Sequence, residues 1–317
     1  MNTTPRYGLE MMLNHTAHGS LCVLAIDIGG TKMACGIVDS RGAILTSGSV
    51  PTRLEVSGDE LFDSLMTLVN GVITSWGESP EQLVGVGVGC GGPMSLGGET
   101  VSPLAILPWR EFPLGARLGG VLNLPIFVDN DAKALALGEG WIGAAAGRGN
   151  YIAMVVSTGV GGGIVLDGRM LEGVTGNAGH IGHVVVVPEG RPCHCGGQGC
   201  LEAEASGLAI ERITGAPAAR ATHETKVRTG RLVGQALAST MNLLDVDFAV
   251  IAGSVALGFG DVFFDAAQGE IDRLATIGSA SAGVVQRAGL GAQGPLVGAA
   301  AVCWRHLGWP QLRPEPA

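Results

Sequence analysis

The chain has 317 residues, 46% of them hydrophobic and only 15% charged, enough to bury a large core in one big domain or two lobes. Its formal net charge of −9 offers no basic footprint for nucleic-acid phosphates, and no apolar run is long and charge-free enough to span a bilayer. Fifty-three glycines are too many for a helical bundle and suit an α/β enzyme that holds ligands in loops.

Residues 1–20 lack the basic start, apolar middle and cleavage site of a signal peptide and are read as a mobile arm. The buried-strand pattern "LCVLAID" (Leu21 to Asp27) follows and ends in a lone carboxylate. After the turn "IGGTK" come strands at "MACGIVD" and "AILTSGSV", then a helix over "DELFDSLMTLVNGVITSWG" with Asp59 as N-cap and Gly77 as stop. "LVGVGVG" and "LPIFVDND" read as two more strands, and Ala132 to Gly147 as a helix. At "YIAMVVSTGVGGGIVLDGRM" the strand–glycine turn–strand pattern begins again, so the second half reads as a degenerate repeat of the first. Helices at "RLVGQALASTMNLLD" and "GPLVGAAAVCWRHLG" flank the strand "FAVIAGS".

Glycine turns let backbone N–H groups approach phosphate oxygens without Cβ obstruction. "DIGGTK" would contribute Gly29, Gly30, Thr31 and Lys32 behind Asp27, and "STGVGGG" would contribute Thr158, Gly159 and Gly161. Each turn alone could equally be an ordinary hairpin; from two similar lobes they are expected to face one cleft. "GVGCGG" (Gly87 to Gly92) satisfies G-x-G-x-x-G, but Pro93 follows it instead of a helix, so a dinucleotide site is rejected. "GK" never occurs, which removes a Walker A loop.

"VDNDA" places Asn130 and Asp131 where a strand hands over to a helix. Two readings stand: helix capping, or Asp131 as general base with Asn130 bonded to substrate. Further on, His183 precedes Cys193, Cys195 and Cys200 by ten, twelve and seventeen residues. Three thiolates and one imidazole make a closed, structural Zn2+ site; three unligated thiols are the alternative. The odd cysteine count and this clustering suit a cytoplasmic protein with a metal site more than a disulfide framework. His194 should point away from the metal. His180 would face away from His183 on an extended segment and share its face on a helical turn.

Taken in order, "DIGGTK", "VDNDA", "STGVGGGIV", "GNAGHIGH" and "CHCGGQGCLEAEASG" resemble the ROK family, which comprises bacterial sugar kinases and sugar-responsive repressors. The resemblance runs from Leu21 nearly to the end of the chain. It implies an α/β, two-lobed, actin-like fold of the hexokinase type. Residues 21–131 with a C-terminal helix at about 295–312 would form one lobe, and 132–294 the other, with its zinc loop. By the same resemblance Asp131 is the base that deprotonates a sugar hydroxyl, and Asn130, His183 and Glu202 contact the sugar. Asp27, the glycine turns and Gly253 hold Mg2+ and ATP, while His183, Cys193, Cys195 and Cys200 hold structural Zn2+. The family pattern has Glu at His180, often Asn where "SPLAILPW" has Ala105, and often Gly at Ser254. The expected function is therefore an ATP-dependent sugar kinase with an altered or relaxed sugar preference, with glucose as the first expectation and N-acetylmannosamine or another hexose next. Family analogy implies a cytoplasmic homodimer. A sugar-binding regulator is the other reading; the twenty residues before Leu21 show no helix-turn-helix pattern, which counts against a DNA-binding one.

Overall fold

The computed structural model describes residues 21–78 and 80–308; the expected N-terminal arm lies outside the described residues. The chain divides into two units. The first ends at Ile142 and takes back Thr175–Asn177 and the chain from Ala292; the second comprises Gly143–Val174 and Ala178–Gly291.

The first unit is built on β1 (Cys22–Ile28), β2 (Lys32–Asp39), β3 (Ile44–Pro51), β4 (Leu83–Cys90) and β5 (Ile126–Asn130), in the order β3-β2-β1-β4-β5. The first three strands run antiparallel, whereas β1, β4 and β5 are parallel. Parallel strands need crossovers, and the helix Gly58–Trp76 supplies the first of them. Its N-cap is Ser57, not Asp59: Ser57 Oγ accepts from the Glu60 N–H while the Glu60 carboxylate accepts from the Ser57 N–H. Asp59 lies inside the first turn, where its charge favours the positive end of the helix. Gly77 closes the helix in the left-handed conformation, as expected.

The second unit repeats that plan. Its strands are β6 (Tyr151–Val156), β7 (Val160–Leu166), β8 (Arg169–Met170), β9 (Phe248–Ala252) and β10 (Val284–Arg287). They lie in the order β10-β9-β6-β7-β8, with β6, β7 and β8 antiparallel and β6, β9 and β10 parallel. Read from the other edge, this is the arrangement of the first sheet. Its core includes Ile152, Met154, Val233, Leu237, Ile251 and Phe263, closed by the packed helices His223–Leu244 and Asp261–Leu274.

The structure shortens one expected helix and gives one glycine of the rejected dinucleotide motif a packing role. The helix expected to run from Ala132 to Gly147 occupies Asp131–Ile142, and residues 143–148 are turns closed by Ala146 N–H to the Gly143 carbonyl and Arg148 N–H to the Ala145 carbonyl. One glycine of "GVGCGG", Gly87, owes its presence to packing. A Cβ on Gly87 would lie 1.9 Å from the Ala299 carbonyl oxygen, because the helix Gly294–His306 lies directly on β4. Among the described residues no helix is long and apolar enough to cross a membrane.

Candidate functional site

In the first unit, β1 ends at Asp27 and Ile28, and the turn to β2 carries Gly29, Gly30, Thr31 and exposed Lys32. The Gly29 N–H is engaged by the Lys32 carbonyl (3.0 Å). Thr52, which the sequence reading missed, braces the same turn: its hydroxyl donates to the Gly29 carbonyl (2.7 Å) and its N–H to the Thr31 carbonyl (3.0 Å). Burial raises the Asp27 carboxyl to about 7; the charge of Asp131 adds to the rise and Lys32 opposes it.

β5 delivers Asn130 and Asp131 to the start of the following helix. The Ala132 N–H donates to both Asn130 Oδ1 (3.0 Å) and Asp131 Oδ1 (2.8 Å), so the capping reading holds for Asn130. Asp131 keeps a solvent-accessible side chain while protein surrounds it on most sides. The desolvation raises its carboxyl above the usual range, against the lowering effect of the Ala132 N–H. Behind it, buried Lys133 pairs with Asp129 at 3.0 Å and donates to the Gly176 carbonyl at 3.1 Å. That pair fixes the strand end from which Asp131 projects. The parallel register of β1 on β4 and β4 on β5 sets Asp27 and the Asn130–Asp131 step at the same end of the sheet.

In the second unit, the β6–β7 turn carries Ser157, exposed Thr158 and Gly159. The carboxylate of Glu202 does something the sequence did not signal: its Oε2 accepts from the Val160 N–H at 3.0 Å, next to Gly159. Gly253, at the end of β9, has φ +101°, and a Cβ there would lie 2.3 Å from the Val156 carbonyl oxygen, so the position requires glycine. The next residue, Ser254, meets the Ser157 hydroxyl at 3.0 Å.

Four further side chains of this unit converge. One donor atom each from His183, Cys193, Cys195 and Cys200 lies within 4.8 Å of all the others. Cys195 and Cys200 sulfurs are 3.7 Å apart, and Cys193 Sγ is 3.6 Å from His183 Nδ1. Zn–S bonds of about 2.3 Å in a tetrahedron give sulfur–sulfur edges of about 3.8 Å, so these separations fit that coordination. Burial first and the neighbouring thiols second push Cys200 up to about 12, whereas the Gly197 N–H pulls Cys195 down. A divalent cation among such thiols favours their thiolate forms. His194 turns its Nε2 to the Arg212 guanidinium (3.3 and 3.4 Å), away from this cluster. His180 and His183 bracket the short 3-10 turn Ile181–His183 and share a face, their rings 5.8 Å apart and 23° from parallel.

Comparison with known proteins gives these features a context. The sequence pattern of the ROK family matches residues 23–306. The chain belongs to the ROK family. A glucokinase of Halalkalibacterium halodurans is 38% identical over 191 residues, which is 60% of this chain and 58% of that relative, so the match spans less than two thirds of the relative's length. An N-acetylmannosamine kinase of Citrobacter koseri is 34% identical over 255 residues, 76% of this chain and 86% of the relative. Among solved structures, a ROK family glucokinase from Streptomyces griseus in complex with glucose and AMPPNP superposes with a TM-score of 0.75 at 30% identity, covering 88% of this chain and 98% of that one. The expected α/β, two-lobed, actin-like fold is borne out.

Where this ROK protein departs from the expected family pattern, the neighbourhood is informative. Ala105 packs against the first glycine turn, its Cβ 2.6 Å from where a Cβ on Gly30 would stand. The loop that carries it is held from inside by Arg110, which donates to the carbonyls of Pro103, Ile106 and Trp109. Exposed leucines, Leu104 and Leu107, flank Ala105 in this loop. His180 is likewise exposed.

Proposed function

We propose that this ROK protein is an ATP-dependent sugar kinase that transfers the terminal phosphoryl group of ATP to a hydroxyl of a hexose. The observation that carries the reading is Asp131, an accessible carboxylate fixed on a strand end, with a raised pKa, beside a second raised carboxyl at Asp27. A general base must be reachable, held in place and closer to neutral in basicity than a free carboxylate; Asp131 meets all three conditions. It takes the proton from the acceptor hydroxyl as the oxygen attacks phosphorus, and the nucleoside diphosphate leaves with the electron pair of the broken bond.

Phosphoryl transfer needs positioning and charge neutralisation more than covalent help. Thr31, Lys32 and Gly30 beside the first glycine turn, and Thr158 and Gly159 of the second, supply hydroxyls, a cation and backbone N–H groups to phosphate oxygens; Gly161, expected in that second turn, lies inside β7 opposite Val155. Mg2+ arriving with ATP would offset phosphate charge, and Asp27 is the carboxylate suited to orient it. Asn130, His180, His183 and Glu202 are assigned to the sugar. His183, Cys193, Cys195 and Cys200 would hold Zn2+, whose role is to fix the segment between His180 and Glu202. The clustering of three of the seven cysteines with His183, and no disulfide among the described residues, suit a reducing compartment, and we place the protein in the cytoplasm.

Two positions that the family pattern assigns to the sugar carry an imidazole, at 180, and a methyl group, at 105, in place of a carboxylate and an amide. Both changes remove hydrogen-bond acceptors, so a hexose with an apolar or acetylated substituent competes well with glucose. An ADP-release assay with Mg-ATP tests the reading across glucose, mannose, fructose, allose, glucosamine, N-acetylglucosamine and N-acetylmannosamine. Turnover with at least one sugar is expected. Silence across the panel, from folded and zinc-loaded protein that still binds sugar, would favour a regulator that binds without phosphorylating.

A further inference from the structure

Glu204 lies outside the four-donor cluster, two residues beyond Glu202 on the short helix Leu201–Ala205, and is fully buried. A buried carboxylate is costly unless charge and hydrogen bonds compensate it, and three groups do so here. Its Oε1 accepts from the Arg191 N–H at 2.7 Å, and its Oε2 accepts from the guanidinium groups of Arg191 (2.6 Å) and Arg228 (2.5 Å). Arg228 also donates to the Glu204 carbonyl at 2.8 Å, and it projects from the core helix His223–Leu244.

Arg191 stands at the root of the small hairpin that carries two of the thiols. Gly199 N–H donates to its carbonyl (2.8 Å), Pro192 pairs with Gln198, and the Cys193 N–H reaches the Gly197 carbonyl (2.8 Å). The hairpin brings Cys193 and Cys195, whereas His183 arrives on the preceding 3-10 turn and Cys200 on the lead-in to the helix. The four donors therefore come from segments that something must hold in register.

We propose that Glu204 is the positioning residue for this metal site: by clamping Arg191 at the hairpin root against Arg228 on the core helix, it preorganises the thiols of Cys193 and Cys195 toward His183 and Cys200. The proposal rests on the zinc reading given above. An apolar residue of similar volume would fill the space but would hold neither the Arg191 N–H nor the two guanidinium groups. The hairpin would then lose its fixed root, and the metal would be released faster through opening of the Cys193–Cys195 arm.

The test uses the full-length chain, loaded with zinc, desalted and mixed with excess chelator and a colorimetric zinc indicator. The wild type, Glu204→Gln and Arg191→Met are compared, with circular dichroism to verify folding. Release from Glu204→Gln is expected to be about tenfold faster or more, as is usual when a group supporting a metal ligand is lost, and Arg191→Met should fall in the same direction. With Co2+ in place of zinc, the thiolate-to-metal band of both variants should weaken, a signature that a merely stabilising ion pair would leave unchanged. A folded Glu204→Gln protein with wild-type release and an unaltered Co2+ spectrum would overturn the proposal. If that variant does not fold, Arg191→Met decides on the same criteria, since its side chain is half exposed and dispensable for the core. A wild-type chain that takes up no zinc would sink the zinc reading itself, a result distinguishable from equal release rates.

Discussion

The charge of Asp131 helps to lift the Asp27 carboxyl to about 7, second to burial and against the pull of Lys32. A carboxyl held this high keeps its proton in the folded protein at pH values where the unfolded chain, with an ordinary pKa of about 3.9, has lost it. The folded state thus binds more protons across that window, and stability falls as pH rises from about 4 to about 7. Removing the titrating group removes the cost. Asp27→Asn should melt several degrees above the wild type at about pH 8, and the two should converge near pH 4, as followed by differential scanning fluorimetry. The same variant should bind Mg-ATP more weakly. A melting temperature at or below wild type at pH 8 would remove the raised carboxyl from the account.

Asp131→Asn keeps the shape and the Oδ1 acceptor toward Ala132 N–H but loses the base. Its kcat with the preferred sugar should fall by about 10²- to 10⁴-fold, the range for loss of general-base assistance. ATP affinity by calorimetry should stay within about twofold, since the side chain is assigned no phosphate contact. Turnover near wild type would return Asp131 to a helix-starting role alone.

Most strands were legible in the sequence as apolar runs ended by a glycine turn or a carboxylate, as at "LCVLAID" and "FAVIAGS", whereas β10, four residues of which only Val285 is buried, offered no such run. The repeated sheet order was legible only in outline, through the two glycine turns. What stayed hidden depended on contacts distant in sequence. Thr52 reaches back to Gly29, Val160 finds Glu202, and Gly87 is small because of Ala299. Nothing in a local pattern announces such partners. The N-cap of the first helix was different: Asp59 is a residue type that caps helices, but the capping-box spacing starts two residues earlier, at Ser57 with Glu60. At the metal cluster the spacing of four donors sufficed to bring them together on paper, while the clamp behind them, Glu204 with Arg191 and Arg228, has no such spacing.

Purified protein should carry about one zinc per chain by elemental analysis, in keeping with a closed four-donor structural site. Cys195→Ser removes one thiolate from the exposed side of the cluster and should lose the metal, and with it several degrees of melting temperature. Prolonged chelation of the wild type should reproduce that loss and re-addition of zinc should reverse it. Metal-free protein of unchanged stability would show that the three thiols serve no cation.

Two glycine-to-alanine changes separate packing from propensity. A Cβ on Gly87 would stand 1.9 Å from the Ala299 carbonyl oxygen, a backbone atom that can yield only if the helix Gly294–His306 moves off β4. Gly87→Ala should therefore destabilise by about 3 kcal/mol or more, at the upper end for overpacking, read as a lower urea midpoint. Gly71 lies inside the helix Gly58–Trp76 with nothing within 4 Å of its missing Cβ. Gly71→Ala should stabilise by about 0.5–1 kcal/mol, because alanine loses less backbone entropy in a helix. Equal midpoints for the two variants would mean that the helix does not rest on β4 as closely as the glycine spacing requires.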